Sequence, residues 1–301
     1  MAVTSMERCV MAFSYVNMMR GFGFAEFAEL PDFKPVSPAP FTKPLSAAKV
    51  GLFSTVGAHL PTQRPFVPIN DLTFRMVPLD VPVADLEFDH PSPIRQFALE
   101  DLNVVFPRDR LVELQQEGVL GELASAAVSM LGSITKYTQL VEKTAPLIAE
   151  TYLEQGVDLV LMVPFCPACH RATHMISRAV EARGIPCVTM TALREMAEAF
   201  RPARPVFADF PLGATVGRPN DAEMQRSVLR ATLDVAATDP RPWHITDLPQ
   251  VWAPDRSWED DVRKLYESEG KDVHRARVTS HIRDGEGLAG REDQLDLSCG
   301  C

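Results

Sequence analysis

The chain lacks an uninterrupted run of about 18 apolar residues, so no membrane-spanning helix is expected. It also lacks blocks of Lys or Arg, and its net charge is -10. Without a basic stripe to hold phosphates, nucleic acid is not an expected partner. The N-terminal stretch MAVTSMERCVMAFSYVNMMRGFGFAEF has no basic region followed by a continuous apolar one and a small-residue cleavage site. No signal peptide is expected, and the cytoplasm, where thiols stay reduced, is the expected compartment. No internal repeat is visible. Gly21-Phe-Gly23 follows no strand, so it is no dinucleotide-binding fingerprint. Cysteine is scarce, with six in 301 residues. In a reducing compartment these point to reactive, ligating or buried thiols, not to a disulfide framework.

What is present is an alternation of short apolar runs and helical patterns. Residues 1–30 read as a helical segment. Residues 31–46 hold five prolines and read as a linker over the surface. Lys49–Ser54, Phe74–Pro78, Val157–Val163, Pro186–Met190 and Pro205–Asp209 are the expected strands. Helical patterns follow Pro107, cover 134–155, run from the Cys-x-x-Cys motif to Gly184, cover Leu193–Phe200 and start at Asp221. Strands alternating with helices predict an α/β fold with a mainly parallel sheet flanked by helices, in flavodoxin- or Rossmann-like layers. Residues 1–245 are expected to form that domain. Residues 246–301 read as a charged, partly helical C-terminal extension ending in Cys299-Gly-Cys301.

The sharpest local feature is VPFCPACHRATH, Val163 to His174. It lies where a strand hands over to a helix, and ligands of parallel sheets gather at that edge. A helix N-terminus favours thiolate over thiol, so Cys166 is expected to carry a lowered pKa. Three chemistries use this spacing. A redox pair uses Cys166 and Cys169. A zinc site uses Cys166, Cys169 and His174, although no second cysteine pair follows. Haem attachment uses C-x-x-C-H, but it occurs in exported proteins. The bland alternative is two small residues buried at a turn. His170 and His174 fall opposite the apolar stripe with Glu181, which fits a solvated helix face and predicts one for His174.

Other segments can approach the same edge. Thr55-Val-Gly-Ala-His59 follows a strand, and Gly57 and His59 face the thiols if that strand is adjacent. Asp89-His90-Pro-Ser92 offers a polar wall or a capping turn. Phe210–Gly217 is a glycine-containing loop after another strand.

Five segments in one order resemble a known family. They are Lys43-Pro-Leu with Lys49–His59, Asp71–Arg75, Asp101–Leu111, the Cys-Pro-Ala-Cys-His motif followed by Gly184-Ile-Pro186, and Asp209–Gly217 with Gln225. Over roughly residues 40–235 the chain is similar to the selenoprotein B family of glycine, sarcosine, betaine and D-proline reductases, in a short form. The resemblance implies that Cys166 stands where the family often has an attacking selenocysteine, and that Cys169 is its partner. It further implies a partner subunit with a pyruvoyl group, for which this chain has no precursor.

These features together predict an oxidoreductase with a disulfide as acceptor. Cys166 attacks a small substrate and Cys169 resolves the adduct as a disulfide. His170 and His59 are the candidate proton-handling residues, and Gly57, Arg75 and His90 the candidate substrate contacts. Cys299 and Cys301 form a candidate redox tail. No cofactor of the chain's own is expected, while a protein or small dithiol reductant is implied. A partner subunit and self-association into a homo-oligomer are expected. The rival is a soft-metal-binding or metal-transfer protein using the same thiols, and a third alternative is a structural subunit with a vestigial site.

Overall fold

The computed structural model describes residues 14–22, 27–238 and 243–268. The short apolar runs become strands: β1 (Lys49–Ser54), β2 (Ala58–His59), β3 (Phe74–Pro78), β4 (Glu87–Phe88), β5 (Glu122–Leu123), β6 (Ala126–Met130), β7 (Leu159–Val163), β8 (Cys187–Thr191), β9 (Pro205–Phe207) and β10 (Thr246–Asp247). The α-helices are α1 (Tyr15–Gly21), α2 (Gln96–Glu100), α3 (Arg108–Gln116), α4 (Tyr137–Gln139), α5 (Ala145–Glu154), α6 (Pro167–Ala182), α7 (Arg194–Phe200) and α8 (Ala222–Thr238). Residues 257–268 are helical as well.

The main sheet runs β10–β9–β8–β7–β1–β6–β3, with β5 added at the start of β1. Its ladders are parallel, apart from β3, which pairs antiparallel with β6. A parallel sheet covered on both faces needs strands that are apolar on both faces. β7 meets this requirement: Leu159-Val-Leu-Met-Val163 is buried at every position. Helix α6 packs against α5 and α7, α8 packs against α3, and both α6 and α8 lie on β8. The expected mainly parallel α/β fold is the one formed.

Local departures have physical causes. The helical pattern over 134–155 begins only at Tyr137 and widens to a π-turn at Leu140–Thr144. Pro146 follows, and it has no N–H to give the Glu142 carbonyl, so the regular ladder breaks there. Strand β6 escapes the sequence pattern because Ala126-Ala-Val-Ser-Met130 is small and partly polar. It is nonetheless fully buried between β1 and β3.

The proline-rich segment is pinned rather than loose. Phe33 N–H donates to the Ala199 carbonyl at 2.9 Å. Ala39 N–H donates to the Glu181 carboxylate at 2.5 Å, and Arg204 donates to the Ala39 carbonyl at 2.6 Å. Glu181 also takes the Cys187 N–H and pairs with Arg204 at 2.8 Å. Contrary to its expected place on a solvated face, Glu181 is therefore a buried anchor between α6, β8 and the proline segment. In the C-terminal region Trp258, Val262 and Tyr266 are buried. Tyr266 stacks on Phe22 beside α1, with ring centroids 6.3 Å apart.

Candidate functional site

Strand β7 ends at Val163, and Pro164-Phe165 carry the chain over the carboxyl edge of the sheet to Cys166. Cys166 is the N-cap of α6, and its Sγ accepts the Cys169 backbone N–H at 3.3 Å. Pro167 takes the first helical position, where a missing N–H leaves nothing unsatisfied. One turn of helix then brings Cys169 Sγ to 3.1 Å from Cys166 Sγ. Both thiols are free and buried; Cys166 is 6% exposed and Cys169 0%.

The third member of the site is His90. Its Nε2 lies 3.1 Å from Cys169 Sγ. Its Nδ1 accepts the Ser92 backbone N–H at 3.1 Å. A ring nitrogen that accepts carries no proton, so the neutral imidazole has its proton on Nε2, aimed at the sulfur. Phe165 holds the ring by an edge-on contact, with centroids 4.7 Å apart. The neighbouring Asp89 N–H donates to the Gly57 carbonyl at 3.2 Å. Gly57 has a φ of +72°, which favours glycine, and so shapes the turn that seats this loop.

The wall behind Cys169 is built from Thr55 and Gly132. The Thr55 carbonyl lies 3.4 Å from Cys169 Sγ, and Thr55 Oγ1 accepts the Phe165 N–H at 3.2 Å. A Cβ on Gly132 would sit 2.8 Å from Cys169 Sγ and 2.8 Å from Thr55 Cβ. Gly132 is thus required for the thiol to fit. It was invisible in the sequence, since it follows the unrecognised strand β6.

The electrostatics of the pair are uneven. Burial pushes the Cys166 thiol up and its hydrogen bond to Cys169 adds to this, against a smaller downward pull from His90. Burial also pushes Cys169 up, but hydrogen bonds from the Cys166 thiol and from backbone and Thr55 groups outweigh it and hold Cys169 below its ordinary value. The expectation of a lowered Cys166 is therefore corrected. The N-cap gives Cys166 one backbone donor, but within the pair it is Cys166 that donates.

Three other histidines lie differently from their expected places. His170 and His174 are fully buried, not solvated, because α6 is covered on several sides by the sheet, α5 and α7. His170 Nδ1 bonds the Cys166 carbonyl at 2.8 Å, and its Nε2 accepts the Ala192 N–H at 3.0 Å. Burial lowers its pKa to about 4, so it is a neutral strut with both nitrogens on backbone groups. His59 pairs with Asp89 at 2.9 Å and with the Leu60 carbonyl at 2.8 Å. Arg75 is buried among backbone carbonyls, bonding Arg64 O at 2.8 Å, and lies over the Phe66 ring. Cys299 and Cys301 fall outside the described residues.

The metal alternative changes its ligand set. Among the described residues the atoms that converge belong to His90, Cys166 and Cys169, all within 4.8 Å of one another, and His174 is not one of them. A histidine that ligates a metal normally donates its other N–H to an acceptor. Here the group facing Nδ1 is the Ser92 N–H, itself a donor. Coordination through Nε2 would move the ring proton to Nδ1 and set two donors against each other. The residues do not fit a resident metal.

Fold and site define an α/β protein with a buried dithiol at the carboxyl edge of a parallel sheet and an imidazole donor on the second sulfur. The chain is 31% identical over 219 residues to the D-proline reductase subunit gamma of Acetoanaerobium sticklandii, covering 71% of this chain and 90% of that one. It is 28% identical over 179 residues to the sarcosine reductase complex component B subunit beta of Peptoclostridium acidaminophilum. It is 25% identical over 234 residues to the glycine reductase complex component B subunit gamma of the same organism. Of these two it spans only 41% and 53% of the length. The chain belongs to the selenoprotein B family of glycine, sarcosine and D-proline reductase subunits. No protein-family model matches it, and no solved structure does. No helix among the described residues is long and apolar enough to cross a membrane.

Proposed function

We propose that this chain is the dithiol-bearing subunit of a reductase complex, acting in the cytoplasm on a small electrophilic substrate. Cys166 is the more accessible sulfur and attacks the substrate's carbon or heteroatom, expelling the leaving group. Cys169 sulfur then attacks Cys166 sulfur. The Cys166–substrate bond breaks, the reduced product departs, and a Cys166–Cys169 disulfide remains. A protein or small dithiol restores the pair. The observation that carries this is the 3.1 Å separation of two free thiols where a parallel sheet presents its ligands.

The relatives are named as subunits of reductase complexes, which supports a partner subunit that presents the substrate. The same thiols could instead serve soft-metal capture, but the Ser92 N–H on His90 Nδ1 weighs against that rival. The test is purification without added metal, followed by elemental analysis and thiol mapping. The expected result is no stoichiometric metal, with a reversible Cys166–Cys169 disulfide that Cys166→Ser abolishes. A stoichiometric metal that is lost in Cys166→Ser would overturn it.

A further inference from the structure

We infer that His90 assigns different tasks to the two sulfurs: its Nε2–H keeps the resting charge on Cys169, so Cys169 is the base that takes the Cys166 proton. The inference rests on the dithiol-reductase function and deepens it. Three contacts carry it. The Ser92 N–H fixes the ring tautomer through Nδ1 at 3.1 Å. That leaves Nε2 as a donor 3.1 Å from Cys169 Sγ. The Cys166 thiol donates to the same sulfur at 3.1 Å. Cys169 therefore receives these two donors beside the Thr55 side chain and backbone groups, whereas Cys166 receives one backbone N–H and the pull of His90. Around the pair the facing groups are His90, which also lowers Cys166, the Thr55 carbonyl and side chain, the Phe165 backbone and the two sulfurs themselves, while His170 is engaged with the Cys166 carbonyl.

The proton then has a complete route. At rest the pair is Cys166–SH and Cys169–S⁻. As Cys166 sulfur bonds the substrate and the leaving group departs with its electron pair, the Cys166 proton crosses to Cys169. As Cys169 sulfur bonds Cys166 sulfur, that proton passes to the released carbon or heteroatom, which takes the electron pair of the broken bond. The substrate gains two electrons and one proton, and the dithiol loses the same. His90 keeps its own proton throughout. No external acid is required, and the imidazole acts as a fixed donor to a reacting sulfur.

The experiment is thiolate absorbance against pH, with the Cys166→Ser/Cys169→Ser double variant as baseline. Cys166→Ser, which leaves Cys169, should show a midpoint below the free-cysteine value of about 8.5. Adding His90→Phe should raise that midpoint by about one unit, a tenfold weaker acid, and His90→Gln, whose amide can still donate, should recover most of it. A second route leaves the ring in place. Ser92 has φ -70°, which proline can adopt, so Ser92→Pro removes the fixing N–H along with the hydroxyl that meets Tyr266 and should raise the midpoint, whereas Ser92→Ala removes the hydroxyl alone and should not. An unmoved midpoint in both folded His90→Phe and Ser92→Pro overturns the inference. So does a low midpoint that survives in Cys169→Ser. Neither measurement uses substrate, so a failure of the reductase function itself, seen as a disulfide that never forms, is read separately.

Discussion

The Tyr266 hydroxyl lies 3.4 Å from Ser92 Oγ, joining the C-terminal helical residues to the loop that holds His90. The residues beyond 268, with Cys299 and Cys301 among them, lie outside the described residues. A thiol can reduce a disulfide by exchange through a mixed disulfide, which makes Cys299 and Cys301 a candidate relay.

Deleting residues 297–301 should slow reduction of the Cys166–Cys169 disulfide by a protein reductant. Reduction by a small dithiol should barely change. Equal rates for the truncated and full-length proteins with both reductants would remove the tail from the electron route.

Alkylation should separate the buried cysteines. Cys187 opens β8 opposite Val160, at the amino edge of the sheet, whereas Cys166 follows the carboxyl end of β7. Burial also pushes the Cys187 thiol up. Iodoacetamide at about pH 7 should label the Cys166–Cys169 pair well ahead of Cys187, read by peptide mass spectrometry. Cys187→Ala should cost about 1 kcal/mol and leave the disulfide intact. Loss of the disulfide in a folded Cys187→Ala protein would contradict this geometry.

Gly132→Ala should be costly. The new methyl group meets Cys169 Sγ and Thr55 Cβ, both at 2.8 Å, and neither is the end of a flexible chain. A loss of about 1–3 kcal/mol is expected from overpacking, together with slower disulfide formation. Gly21→Ala, with nothing within 4 Å of the new atom, is the control. Urea unfolding of the two variants checks both outcomes.

Glu181 should give stability a pH slope. Burial pushes its carboxyl up from 4.5 to about 7, against the pull of the Ala39 N–H, Arg204 and the Cys187 N–H. Between those values the folded chain holds a proton that the unfolded chain has released. Its contribution is therefore complete below the unfolded value and is lost as pH rises through the folded one, by on the order of 1–3 kcal/mol. Glu181→Gln should lack this slope when unfolding is followed from about pH 5 to about pH 8. Parallel curves for the two proteins would refute the assignment.

Much of this fold was legible because its strands announce themselves. Leu159-Val-Leu-Met-Val163 could only be a strand covered on both faces, and the cysteine motif beyond it had to fall on the carboxyl edge. Strand β6 was not legible, because small residues carry little apolar signal. Nor was the antiparallel direction of β3, which depends on that pairing. His170 and His174 were misplaced because period alone does not reveal a helix covered on several sides. His90 was recognised as a wall, a turn or a substrate contact, but not as the partner of Cys169. It meets Cys169 across 79 residues of sequence, and no local pattern encodes such a contact.

The central claim is that Cys166 and Cys169 form a two-electron dithiol/disulfide couple. Equilibrating the metal-free protein against a series of dithiothreitol redox buffers, with quantification of the cross-linked peptide, tests it most directly. The expected result is one two-electron transition confined to Cys166 and Cys169 and absent from either serine variant. Two sulfurs that stay reduced across the series, or a cross-link that recruits Cys187 instead, would contradict the account.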